Sequence, residues 1–181
     1  MASRRAGSGP AVQAGGLASV KRALEAFVEG PTGAPSRMSN AELFEAIFEQ
    51  SPDAIIVADP QGQVRLWNPA AERLFGWRAA EVVGRSLDVI IPERLRQAHW
   101  DAYFRALRLR ETKYGGRAMT TRSMRRDGTK LYVEMSFSLV ADARGTVVGA
   151  LAMARDVTER HEAQRRARER EASGDSGNAG A

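Results

Sequence analysis

The chain has 181 residues, 43% of them hydrophobic and 27% charged, with a formal net charge of +5; that is the size of one ordinary globular domain with long flanks, or of two very small ones. No apolar run approaches the roughly 20 residues of a membrane-spanning helix, and no apolar segment of the secretory type follows Met1, so a soluble, cytoplasmic protein is expected. Cysteine is absent and His99 and His161 are the two histidines, which excludes disulfides, thiolate chemistry, cysteine-ligated metals and an all-histidine zinc site, and fits a reducing compartment. The basic residues are scattered, and those over Arg160–Glu171 are interleaved with acids, so direct nucleic-acid binding is not expected despite the charge.

Residues 1–16 are rich in Gly, Ala and Ser and are expected to be disordered. Leu17, Val20, Leu24 and Phe27 recur at helical spacing and predict an amphipathic helix over 17–29, whose apolar face points to a homodimer or another signalling protein as partner. Residues 30–38, containing GPTGAPS, read as a linker, and Met38, followed at once by domain sequence, is a candidate translation start. The domain itself is expected over 39–157. Ser39 or Asn40 can cap its first helix, with Glu42 in the first turn and Leu43, Ile47 and Phe48 as the apolar face. Asp53–Ala58 reads as a buried strand, Asp59-Pro60-Gln61-Gly62 as a turn, and Val64 and Leu66 as the start of a second strand, making a hairpin.

Asn68-Pro69 opens a short helix over Ala70–Phe75 that Gly76 closes, and Pro92 suits the first turn of a longer helix over Glu93–Arg110. Strands follow at Arg117–Met124, Lys130–Val140 and Val147–Arg155. In the middle one Leu131, Val133, Met135, Phe137 and Leu139 alternate with polar residues, so one face is buried. The economical packing of this order is α+β: a five-stranded antiparallel sheet with helices on one face, flanked by N-terminal and C-terminal helices. A charged exit helix is predicted over 158–171, followed by a disordered tail over 172–181.

These elements carry stretches that resemble the PAS family, in its S-box branch: SPDAIIVADPQGQVRLWNPAAERLFGW (Ser51–Trp77), EVVGRSLDVIIPER (Glu81–Arg94), RRDGTKLYVEMS (Arg125–Ser136) and ARDVTER (Ala154–Arg160). No single motif decides the matter; their order and spacing together do. The resemblance implies the PAS fold, a sensory or interaction role without catalysis, and signature positions at Asn68 and Asp156. Both also have local work as helix caps. The resemblance adds that Asp156 is the joint through which sheet changes reach the exit helix.

On the long helix Leu95, His99, Ala102, Tyr103 and Ala106 share one face at 100° per residue, so His99 points into the domain and the alanines leave room for a flat cofactor. The chain here resembles the heme-binding PAS sensors, whose axial histidine falls seven residues after a proline, as His99 does after Pro92. The resemblance implies a b-type heme with His99 as iron ligand, Arg105 near a propionate, and Arg117 and Met119 opposite the iron. There a guanidinium can donate a hydrogen bond to a bound gas, and a thioether can be the sixth ligand. Met135 and Phe137 would line the pocket, with Phe137 bulky enough to crowd or fill it. A lone inward histidine is equally an ordinary core residue, and Trp100, Phe104 and Leu107 give the helix a second apolar stripe, so a core without cofactor stays open.

Covalent flavin chemistry needs a cysteine the chain lacks, noncovalent flavin has no positive motif, and Gly115-Gly116 is not a phosphate-cradling loop. Glu134 and Asp101 are scattered carboxylates without a base or nucleophile beside them, so no enzyme is expected. The expected function is a PAS signal-sensing module without an output domain of its own, sensing oxygen or another diatomic gas through heme. The alternative is a cofactor-free dimerisation module.

Overall fold

The computed structural model describes residues 38–174. The expectations for 1–16 and 17–29, all of the 30–38 linker but Met38, and residues 175–181 of the tail lie outside them. The chain divides into two units, Met1–Ile47 and Phe48–Ala181. Helix α1, Asn40–Gln50, begins in the first. Ser39 is its cap: the Ser39 amide donates to the Glu42 carboxylate and the Glu42 amide donates to Ser39 Oγ, a reciprocal pair that satisfies two orphan donors of the first turn.

The second unit is built on strands β1 (Ala54–Ala58), β2 (Val64–Trp67), β3 (Met119–Met124), β4 (Lys130–Ala141) and β5 (Val147–Asp156). They form one five-stranded sheet in the order β2-β1-β5-β4-β3, antiparallel at every pairing. Between β2 and β3 lie helices α2 (Pro69–Phe75), α3 (Ala79–Val82), a 3-10 turn (Leu87–Val89) and α4 (Glu93–Leu109); after β5 comes α5, Thr158–Gly174. This is the expected α+β arrangement of a five-stranded antiparallel sheet with helices on one face. Helix α5 continues three residues past the expected end of the charged helix.

The period of two in the strands decides which face is covered. Ala54, Ile56 and Ala58 of β1, Leu131 and Val133 of β4, and Ala150 and Ala154 of β5 turn inward and join Phe75, Val82 and Ile90 from the helical segment in one core. The outward residues of β1, Ile55 and Val57, are only half-buried, and Leu66 and Met153 beside them are exposed.

The β1–β2 turn is held by one side chain. Asp59 Oδ1 accepts from the amides of Gln61 and Gln63 at 2.9 and 3.0 Å, and Oδ2 accepts from Arg65 Nε at 2.8 Å. Gly62 takes φ 79° there, the left-handed region that glycine enters without steric cost. Helix α4 stops at Leu109, one residue before the expected end, because Arg110 is left-handed at φ 54°, ψ 34° with its amide donating to Ala106 O. Among the described residues no helix is long and apolar enough to cross a membrane.

Candidate functional site

Helix α4 lies over the inner face of the sheet and is braced at a distance from it. Tyr103 OH donates to the Asp59 carbonyl at 2.6 Å, and burial, aided by the Asp59 charge, pushes the phenol up to about 12, so it remains a donor. Trp100 lies against Gly62 and donates from Nε1 to Asp88 Oδ1 at 2.9 Å. Ser123 of β3 donates from Oγ to Ile90 O at 2.6 Å, holding the segment before α4 to the sheet edge. The facing surfaces carry small residues among the larger ones: Ala58, Ala150 and Ala152 on the sheet, Ala98 and Ala102 on the helix. Bracing at a fixed height with alanine on both sides leaves space, and a cavity of about 460 Å³ remains, within the roughly 300–1,000 Å³ of small-molecule sites.

His99 stands in the wall of this cavity. Its ring stacks at 5.9 Å on Tyr103 and meets Trp100 edge-on at 5.0 Å. Nε2 is buried and has no hydrogen-bond partner. Burial lowers the imidazole below its ordinary 6.5, with the Asp88 carboxylate working weakly the other way. The ring is therefore neutral near pH 7 and holds a buried nitrogen that no group among the described residues satisfies, a rare state for a native polar group.

A second hollow of about 290 Å³ shares His99, Tyr103, Met135 and Phe137 with the first and opens past Lys113, Arg117 and Met119. The structure thus gathers His99, Arg117, Met119, Met135 and Phe137 around one space. Met119 and Met135 are direct cross-strand neighbours. Phe137 meets Tyr103 edge-on at 6.0 Å; it lines the cavity and does not fill it, which removes the expectation that it could close the pocket outright.

Two expected positions differ. Arg117 is not in β3, which begins at Met119: Gly115 and Gly116, at φ 57° and 79°, turn the chain, and the Arg117 amide closes that turn onto Tyr114 O at 3.1 Å. Arg117 and Met119 therefore do not face one way through strand alternation, although both reach the second hollow. Arg105 is exposed and lines neither space, because six residues carry it about 240° around the helix from His99. Of the second apolar stripe, Trp100 is half-buried and Phe104, stacked on it at 5.6 Å, is 47% exposed.

Asn68 is fully buried. Its Oδ1 accepts from the amides of Ala71, as the cap of α2, and of Ile55, both at 2.9 Å. Its Nδ2 donates to Phe48 O at 3.1 Å and Asp53 O at 3.0 Å. Asp156 Oδ1 accepts from the Thr158 amide at 2.9 Å at the start of α5, and Oδ2 takes Arg125 Nη2 at 2.6 Å. Burial pulls the Asp156 carboxyl upward, but the Thr158 bonds and Arg125 outweigh it and hold it below its ordinary range. Arg125 also donates to Leu74 O, so one guanidinium joins α2 to the end of β5. The scattered carboxylates have structural partners: Glu134 accepts from Arg160 and Asp101 from Gln97.

Several contacts had no local signal in the sequence. Tyr103–Asp59 and Ser123–Ile90 span 44 and 33 residues, and His161 stacks on Tyr132 at 3.8 Å. The alanines of β5 and α4 were the one readable hint of a cavity.

Residues 48–162 match the family described as PAS fold. The chain belongs to the PAS family. Among its relatives, sensor protein FixL of Bradyrhizobium diazoefficiens is 34% identical over 127 residues, 68% of this chain and 24% of that protein. Oxygen sensor protein DosP of Escherichia coli is 31% identical over 122 residues, 64% of this chain and 14% of that protein. The chain therefore spans a quarter or less of the length of these relatives. Among solved structures, a PAS domain from Colwellia psychrerythraea superposes with TM-score 0.59 at 22% identity, covering 67% of this chain and 99% of that one. An RNA-binding light-oxygen-voltage receptor does so with TM-score 0.59 at 26% identity, covering 78% and 39%. The PAS domain is a sensory module related to these sensors, and the fold is generally non-enzymatic.

Proposed function

We propose that this PAS domain is a non-catalytic sensor whose input is a b-type heme under α4, responding to oxygen or another diatomic gas. The observation that carries the reading is the buried, unpartnered Nε2 of a neutral His99 in the wall of an apolar cavity; an oxygen sensor among the relatives supports it. The residues present fit the group: a neutral imidazole is the protonation state that ligates a metal, and Ile56, Leu87, Ile91 and Phe137 offer an apolar lining. Heme, when bound, supplies a redox-active iron with affinity for diatomic gases. His99 would be its protein ligand, with Met119 and Arg117 as the thioether and the hydrogen-bond donor near the open side and Met135 and Phe137 limiting access.

Output would pass along β5 to Asp156 and the exit helix, with Asn68 fixing β1 against α2, and on to a partner or a second copy. The test is reconstitution with hemin followed by absorption spectra in both oxidation states. The expected result is a Soret band shifted from that of free hemin and lost in His99→Ala. A protein that takes up no hemin, or whose spectrum is indifferent to His99→Ala, overturns the heme reading.

A second reading, a dimerisation module without cofactor, is favoured by the outer sheet face, where Leu66 is 48% and Met153 39% exposed beside half-buried Ile55 and Val57. A concentration-dependent dimer weakened by Met153→Lys, in protein that stays colourless with hemin, would support it.

A further inference from the structure

The polar groups around the cavity are arranged in a way that specifies more than an apolar ligand. Inside, Tyr103 and Ser123 spend their hydroxyls on Asp59 O and Ile90 O, leaving His99 Nε2 unpaired. At the mouth the character changes. Lys113 and Arg117 line the outer hollow, and among the described residues no Asp or Glu lines either space. Among the described residues neither cation forms an ion pair: Lys113 Nζ sits 5.1 Å from the Tyr114 ring centroid, and Arg117 Nε donates to Tyr114 O at 3.4 Å. Arg122 also borders the inner cavity, with its guanidinium held over Tyr132.

Two cations at the rim of an apolar hollow make an anion favourable there, since a carboxylate drawn deeper would lose its water, and Arg122, which borders the inner cavity, is engaged with Tyr132. We propose that Lys113 and Arg117 hold the carboxylate of a ligand whose apolar body fills the cavity under α4. This rests on reading that cavity as a ligand site, and it assigns the anion-holding role to the loop before β3 instead of to Arg105, which the helix turns away. The chemistry is shared by two sources, the propionates of a porphyrin and the head of a free organic acid.

Iron-free protoporphyrin separates the rim from iron ligation at His99. Wild type, Lys113→Ala, Arg117→Ala, the double variant and Arg105→Ala would be titrated, by quenching of tryptophan fluorescence, with protoporphyrin IX, its dimethyl ester and dodecanoate. Circular dichroism would confirm that these surface variants fold. Exposed ion pairs contribute little each, so the expected loss is about threefold for each single variant and about tenfold for the pair. The ester should bind about equally to wild type and double variant, and raised salt should weaken the acid alone.

Binding of protoporphyrin with this pattern supports the proposal with a porphyrin as source. Binding of dodecanoate alone, with the same dependence on Lys113 and Arg117, supports it with a free acid as source. Equal affinity for acid and ester, no effect of the double variant, an effect of Arg105→Ala instead, or binding of neither acid overturns it. Loss of the Soret shift in hemin titrations with intact rim dependence here would defeat the heme reading alone.

Discussion

Asn68→Ala isolates the side chain that ties the first strand to the helical segment. Asn68 is fully buried with all its amide hydrogen-bonding in use: two accepted bonds, from Ala71 and Ile55, and two donated, to Phe48 O and Asp53 O. Removing the cap of α2 costs about 1 kcal/mol. Leaving the Ile55 amide without its bond adds about 1–3 kcal/mol. The two carbonyls suffer less, since Asp53 O also accepts from Ser51 Oγ. The sum is about 3 kcal/mol, a large part of the about 5–15 kcal/mol that holds a domain together. In urea unfolding, with a slope of about 2 kcal/mol per molar, the midpoint should fall by about 1.5 M at unchanged slope. A loss below about 1 kcal/mol would refute the reasoning, because it would mean these four bonds are replaced by water at no cost.

Gly62→Ala drives a Cβ into the Trp100 ring at Cζ3, at a residue with φ 79°. The left-handed backbone costs about 1–2 kcal/mol for alanine, and displacing Trp100 from its bond to Asp88 adds about 1 kcal/mol. In a Trp100→Ala background the penalty, measured by thermal melts, should shrink to the backbone part; an undiminished penalty would count against the Trp100 contact. For pH, the His99 imidazole is lowered from 6.5 by burial, so the unfolded state takes up the proton first and stability falls as pH drops through about 6.5 toward the folded value. The carboxyls of Asp59 and Asp156, lowered from 3.8, act only further into the acid range. Melting temperature against pH, without cofactor, should lose its slope below pH 6.5 in His99→Leu; equal slopes in both proteins would overturn the assignment.

What was legible in the sequence followed how local the cause was. Strand alternation in Leu131–Leu139, the Asp59–Gly62 turn and the Asn68 cap are decided within a few residues, and each reads directly. The inward face of α4 reads equally well, because a period of 3.6 sets it. The start of β3 was not legible: two glycines at positive φ turn the chain just before it, so the strand begins at Met119 and not at Arg117, although both residues reach the second hollow. Arg105, placed near a propionate by resemblance alone, is exposed and lines neither hollow, as its interval of six residues from His99 on the helix leads one to expect. Lys113 was not readable as part of the rim, because it is an ordinary surface cation until the loop sets it beside the hollow.

The cavity itself follows from an imbalance between bracing and filling. Tyr103, Trp100 and Ser123 fix the height of α4 above the sheet through hydrogen bonds to the chain at Asp59, Asp88 and Ile90, and none of these contacts depends on what lies between. Alanines stand between them on both surfaces, Ala58, Ala150 and Ala152 on the sheet and Ala98 and Ala102 on the helix, among larger residues such as Ile56, Leu95 and Met135. A core built only for stability would place larger side chains there, since each buried methylene contributes about 0.8 kcal/mol. Ala150 and Ala152 on the floor and Ala102 on the helix forgo that contribution in a protein that packs Phe75, Val64 and Val133 to nearly zero exposure elsewhere. Space kept open by rigid struts, beside a histidine with nothing to bond, is what a ligand site needs and what a pure interaction module has no use for. That contrast within one core weighs the sensor reading above its rival.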